Sequence, residues 1–110
     1  GNQCADEGAE ALAGSSHLGN LETLNLNHNE IGDDGAIAIA NSDKLPNLKN
    51  LSMFGNVIGD EGARTFAESV NSKKYLKLDL YKNQISNVGY KALTESELLK
   101  NCEELEISHD

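Results

Sequence analysis

Tryptophan is absent, proline and methionine occur once each, and two phenylalanines and three tyrosines supply all the aromatic rings. A core built from this inventory has to be aliphatic. Basic residues are scarce as well, nine against eighteen acids, for a formal net charge of −9. Such a surplus favours solubility and repels phosphate backbones, so nucleic acid is not an expected partner. Long hydrophobic runs are missing. The longest apolar stretch, Ala36-Ile37-Ala38-Ile39-Ala40, falls far short of the roughly 20 residues that cross a bilayer, and no signal peptide is expected among these residues, which open inside a repeat. A membrane partner is not expected either. There are only two cysteines.

What is present in abundance is periodicity. Leu24-Asn-Leu26-Asn-His-Asn29-Glu-Ile31-Gly-Asp-Asp-Gly35-Ala36 returns 27 residues later as Leu51-Ser-Met53-Phe-Gly-Asn56-Val-Ile58-Gly-Asp-Glu-Gly62-Ala63. After a further 27 it returns as Leu78-Asp-Leu80-Tyr-Lys-Asn83-Gln-Ile85-Ser-Asn-Val-Gly89-Tyr90. A fourth start, Leu105-Glu-Ile107-Ser-His-Asp110, and an opening half-copy, Asn2-Gln-Cys4-Ala-Asp-Glu-Gly8-Ala9, stand in the same phase. A fixed period of this length is the signature of a repeat array. The units divide as a partial repeat over 1–20, repeats over 21–47, 48–74 and 75–101, and a partial repeat over 102–110. Together they form one domain, expected to be a piece of a longer array.

Each unit opens with alternating apolar and polar residues, the pattern of a strand with one buried face. Strands are expected over Thr23–Asn27, Asn50–Phe54, Lys77–Tyr81 and Glu104–Ser108. Leu24, Leu26, Leu51, Met53, Leu78, Leu80, Leu105 and Ile107 are expected in the core. A helix follows each strand, over about Asp33–Asn41, Asp60–Asn71 and Asn87–Lys100, with a shorter one over Asp6–Ala13. Ala63, Phe66, Ala67 and Val70 share one face of the third helix, and Val88, Ala92 and Leu93 one face of the fourth. Strand, helix and parallel strand in every period describe right-handed βα crossovers. The expected fold is therefore an α/β solenoid, with a parallel sheet on the concave face and helices on the convex face. Cys4 aligns with Ile31 and Cys102 with Leu48, so both are expected inward, reduced and several layers apart, which suits a cytosolic location. The strands around Leu24 and Leu105 leave open edges, which invite pairing between chains.

The spacing Leu21-x-x-Leu24-x-Leu26-x-x-Asn29-x-Ile31-Gly, followed by a Gly-Ala-rich helix, resembles a leucine-rich repeat. The helical second half and the 27-residue unit are similar to the ribonuclease-inhibitor-like subclass. That subclass includes Ran GTPase-activating protein, the sensing domains of immune receptors, and bacterial effectors. Two cysteines are too few for the ribonuclease inhibitors themselves. Ser72, Tyr75 and Cys102 stand where leucine is usual, from which irregular packing is expected.

Asn2, Asn29, Asn56 and Asn83, with Asp110 after them, form a column expected to act as a structural ladder binding backbone groups. The acid pairs Asp6-Glu7, Asp33-Asp34 and Asp60-Glu61 read as helix-start residues rather than a calcium loop. His28 and His109 are layers apart and His17 lies in a loop, so all three read as solvated. No nucleophile, base and oxyanion set can be assembled, and no metal or other cofactor is expected. The chain is not expected to be an enzyme. The outward strand positions are what the repeat leaves free: Asn25, Ser52, Asp79 and Glu106 in one column, Asn27, Phe54, Tyr81 and Ser108 in the next, with Lys82 beside them. Phe54 and Tyr81 are neighbouring aromatics on a face that should be solvated, and aromatic anchors are enriched at binding hot spots. These eight residues, Asn25, Asn27, Ser52, Phe54, Asp79, Tyr81, Lys82 and Glu106, make up the expected contact face for a protein partner. The function read from them is protein–protein interaction, as a cytosolic regulator or a bacterial effector delivered into a host cytosol. The alternatives are a fragment of a Ran-type GTPase-activating protein, on the resemblance alone, and a structural spacer.

Overall fold

Leucine one period apart from leucine on parallel strands produces a sheet whose buried face is continuous. In the computed structural model, which describes residues 2–108, Leu24 stands opposite Leu51, Leu51 opposite Leu78, and Leu78 opposite Leu105. The strands are β1 (Thr23–Asn25), β2 (Asn50–Ser52), β3 (Lys77–Leu80) and β4 (Glu104–Ile107), all parallel and adjacent in chain order. Between them run helices α1 (Gln3–Gly14), α2 (Asp33–Ala40), α3 (Asp60–Glu68) and α4 (Asn87–Thr94), each packed on the next. Short 3-10 turns, Val70–Lys74 and Glu97–Leu99, follow α3 and α4. Parallel strands are satisfied about 4.8 Å apart, whereas helices need roughly 8–10 Å. The stack therefore bends with its sheet inside and its helices outside, a right-handed βα solenoid. His109, read above as solvated, and Asp110, read as the end of the asparagine column, lie outside the described residues.

Leu51, Met53, Leu78 and Leu80 are fully buried. Leu24, Leu26, Leu105 and Ile107, expected in the core as well, are only half-buried, because β1 and β4 are the outer strands of the sheet. Val70 and Val88 were expected inward and are 68% and 58% exposed. α3 stops at Glu68, where Ser69 turns extended, so Val70 no longer continues the helical face. On α4, Gly89 faces α3, and a residue one step earlier is rotated by about 100° toward solvent. Cys4 is exposed, not inward. It occupies the first turn of α1, whereas Ile31 and Ile58 lie in the extended link between strand and helix. Cys102 is half-buried, with Sγ 3.4 Å from the Glu104 carbonyl, and burial pushes its thiol pKa up.

Of the positions from which irregular packing is expected, Ser72 is compensated, whereas Tyr75 buries a hydroxyl that finds no hydrogen-bond partner among the described residues. Ser72, where other units carry Leu18, Leu45 and Leu99, is buried and donates to the Phe66 carbonyl at 2.6 Å. Phe66 and Tyr75, the largest fully buried side chains, stand 6.1 Å apart and fill the volume that a leucine would take.

Two polar columns bind layer to layer. α2 and α3 begin at Gly32 and Gly59, which have no side chain to cap the first turn. The cap comes from the preceding layer. Asp6 Oδ1 accepts from Gly32 N–H (2.7 Å) and Gly35 N–H (3.2 Å), and Asp33 Oδ1 from Gly59 N–H (2.8 Å) and Gly62 N–H (3.0 Å). Asp60 repeats the pattern on Ser86 N–H and Gly89 N–H, with the Ser86 hydroxyl donating to its second oxygen. At the other helix end, Ser42 Oγ donates to Ala13 O (2.6 Å), Ser69 Oγ to Ala40 O (2.8 Å), and Ser96 Oγ to Ala67 O. Helices α2 and α3 are thus tied at the first turn by the layer before and at the last turn by the layer after, while among the described residues α1 has only the second of these ties and α4 only the first. The acid pairs do stand at helix starts, but the first member of each serves the following helix.

This geometry reverses an ordinary substitution rule. Alanine in place of a helical glycine normally stabilises by about 0.5–1 kcal/mol. At Gly62 an added Cβ would lie 2.8 Å from Ile58 Cγ2, 2.9 Å from Asp33 Oδ1 and 3.1 Å from Ala36 Cβ. At Gly8, the same repeat position in α1, nothing lies within 4 Å. Gly8→Ala should therefore raise stability by about 0.5–1 kcal/mol, while Gly62→Ala lowers it by about 1–3 kcal/mol, read from urea unfolding. Equal effects at the two positions would contradict the capping arrangement.

The same column sets an acid dependence. The Ser86 hydroxyl, with the Ser86 and Gly89 N–H groups and nearby Arg64, holds the Asp60 carboxyl below its usual pKa. A depressed carboxylate contributes stability above its unfolded pKa of about 3.9, and that contribution is lost as pH falls through the folded value. Asp60→Asn should consequently melt lower than wild type at pH 7 and lose less on acidification below about pH 4, narrowing the gap between the two melting curves.

Candidate functional site

The concave face is framed by how the chain leaves each strand. His28, Gly55 and Lys82, one period apart, all have φ in the left-handed region, 58°, 74° and 59°. That conformation is costly for residues with a Cβ. It is held by the asparagine that follows. Asn56 Nδ2 donates to Leu26 O and Met53 O, both at 2.9 Å, while its Oδ1 accepts from Asn29 N–H and Ile31 N–H, both at 3.0 Å. Asn83 donates to Met53 O and Leu80 O at 3.0 Å and accepts from Ile58 N–H at 2.9 Å. The Asn29 side chain makes a single, exposed bond among the described residues, to Asn27 O. Asn2, expected as a rung, instead caps α1 through Cys4 N–H and Ala5 N–H, since a helix rather than a strand occupies its end of the chain.

The outward columns then fall into two kinds. Some residues aim their neighbours. Asn25 Oδ1 accepts from Asn27 N–H, and Asn27 Oδ1 accepts from Ser52 Oγ (2.6 Å) and Phe54 N–H (2.8 Å). Asp79 Oδ1 accepts from Tyr81 N–H at 3.0 Å. The other kind presents surface. Phe54 and Tyr81 stack at 6.1 Å with planes 15° apart, and Tyr81 is 41% exposed. Lys82 Nζ lies 5.8 Å from the Tyr81 ring centroid, and Glu106 is exposed on β4. All eight residues expected at the contact face thus stand on one side of the sheet or at its rim.

Three further participants belong to this face. His28, read above as merely solvated, meets Phe54 edge-on at 5.2 Å. Gly55 makes that possible, since a Cβ there would come within 2.5 Å of His28 Nδ1. Lys77 and Glu104 pair across β3 and β4 at 3.6 Å. The period could have found Lys77 and Glu104, because they share an outward column with Thr23 and Asn50. It also places His28 in one outward column with Lys82; what it could not show is the edge-on contact with Phe54, which depends on the left-handed turn.

Two adjoining hollows run along the sheet. One, of about 490 Å³, is lined by uncharged Thr23, Asn25, Asn50 and Ser52 as far as Lys77 and Asp79. The other, of about 260 Å³, is lined by Phe54, Lys77, Asp79, Tyr81, Glu104 and Glu106. Among the described residues no three His, Cys, Asp or Glu side chains gather as a metal ion requires, and no helix is long and apolar enough to cross a membrane.

Residues 17–40 and 44–67 match the family model described as Leucine Rich repeat. The fold is a leucine-rich repeat solenoid. The two matched segments begin 27 residues apart (44 − 17), the period of the strands, and the unit over 75–101 repeats their geometry. No curated protein matches the chain. Leucine-rich repeats are generally protein–protein interaction modules and typically not enzymes.

Proposed function

We propose that the concave sheet of this leucine-rich repeat solenoid docks a protein partner, with Phe54 and Tyr81 as its anchors. The observation that carries this reading is the stacked pair itself, partly solvent-exposed at positions whose identity the repeat does not dictate. Asn27 and Asp79 hold the backbone of each ring residue by a hydrogen bond, so the pair is oriented before any partner arrives. Pre-organisation of this kind lowers the ordering cost of association. A helix in every period also supports reading the units as the ribonuclease-inhibitor-like type.

The test is capture from cytosolic extract on immobilised wild-type protein and on the Phe54→Ala/Tyr81→Ala variant, with the retained proteins identified by mass spectrometry. Both rings are partly solvent-exposed, so the variant should remain folded, and its melting transition is recorded beside the capture. A partner held by wild type should be lost from the folded variant. Equal retention by both would remove Phe54 and Tyr81 as anchors and favour a spacer role.

A further inference from the structure

The hollow at the C-terminal end of the concave face has an uneven charge balance. Lys77 stands opposite Glu104 across β3 and β4, and the two are paired at 3.6 Å. Two residues along, Asp79 stands opposite Glu106 with no cation in ion-pair contact among the described residues. Like charges directly opposite on neighbouring strands repel and weaken the sheet. Here that repulsion borders the stacked rings of Phe54 and Tyr81, inside a space of about 260 Å³. Small-molecule sites usually enclose roughly 300–1,000 Å³, so the hollow is scaled to a single side chain.

We propose that this hollow receives an arginine side chain of the partner, its guanidinium stacked on the aromatic pair and bonded to the Asp79 and Glu106 carboxylates. The assignment rests on the concave face being the docking surface. Charge complementarity selects a cation, and the aromatic wall selects which one. A planar guanidinium stacks on rings and offers paired donors to carboxylates, whereas an ammonium is a compact and strongly hydrated point charge. Lys82 already lies 5.8 Å from the Tyr81 centroid, so this ring draws a cation even from its own chain. The partner presents a basic segment, which also suits a protein of net charge −9.

The test uses N-acetyl-arginine-N-methylamide as the probe, followed by amide chemical-shift changes at millimolar concentration, with the neutral citrulline analogue and the lysine analogue as controls. Shifts should cluster at Phe54, Asp79, Tyr81 and Glu106, rank arginine above lysine, and vanish for citrulline. Asp79→Asn/Glu106→Gln keeps the side-chain oxygen that receives Tyr81 N–H and should bind the probe about tenfold more weakly. Without probe, the same variant should melt higher than wild type, because the opposed charges are gone. Scattered shifts, or equal shifts from arginine and citrulline, would overturn the assignment. If Phe54→Ala/Tyr81→Ala loses the captured partner while Asp79→Asn/Glu106→Gln keeps it at full strength, the docking face stands and the arginine falls. If neither variant affects capture, the docking face itself is wrong.

Discussion

Replacing Asn56 with alanine should cost about 3–5 kcal/mol of folding stability, while the same change at Asn29, one period earlier, should cost less than about 1 kcal/mol. The two residues occupy one motif position. Asn56 is 5% exposed, and its side chain serves Leu26 O, Met53 O, Asn29 N–H and Ile31 N–H. Truncation would strand Ile31 N–H inside the protein and leave the part-buried Leu26 O and Asn29 N–H without their partner, while Met53 O keeps its bond from Asn83. Each buried unpaired group costs about 1–3 kcal/mol. Asn29 is exposed, and among the described residues its side chain bonds only Asn27 O, a contact that water can replace. Small domains hold roughly 5–15 kcal/mol in total, so Asn56→Ala would be close to unfolding at physiological temperature. Urea denaturation of both variants decides the matter, and similar midpoints for the two would refute the account.

Phe66→Ala should cost a comparable 3–5 kcal/mol, since a large, fully buried side chain would leave a cavity between helix and strand layers. The more informative experiment restores the neighbours' pattern. Phe66→Leu alone leaves a void, and Ser72→Leu alone overfills its site and takes the donor from the Phe66 carbonyl. Combined, the two changes reproduce the leucine pair that the fourth unit carries at Leu93 and Leu99, both buried. The double variant should lose at least about 0.5 kcal/mol less than the sum of the single losses. Additivity would mean that Ser72 and Phe66 do not share a volume.

The strand register was legible because a period of two within a period of 27 leaves no other pairing. Leu51 and Leu78 could be placed opposite one another without coordinates. The helix ends were not. Val70 continues the apolar spacing of Phe66 and Ala67, yet Ser69 leaves the helix to reach the Ala40 carbonyl, a bond to a residue 29 positions away. Helical periodicity is local information, and the terminator here is supplied by another layer. The same limitation hid the carboxylate caps, where Asp33 satisfies Gly59 and Gly62 rather than its own first turn. On the concave face, the sequence could show that Phe54 and Tyr81 share a column. It could not show the hollow beside them, which needs Lys77, Asp79, Glu104 and Glu106 to meet around one space.

The aspartates reach forward and the serines reach back, so the bonds that close a helix are written half in one copy and half in the next. A block of 27 residues cut from the interior at any phase carries one donor half and one acceptor half of each tie. Inserted in frame beside its parent, it would meet matching halves on both sides. The array can therefore lengthen by tandem duplication without any compensating substitution at the junction. Inserts of other lengths within a strand, a helix or the link between them would bring aspartate and glycine, or serine and carbonyl, out of step. Natural or engineered variants of this chain should accept whole-period insertions within the array, and partial ones only in surface loops, where added residues can bulge outward without shifting the tied groups.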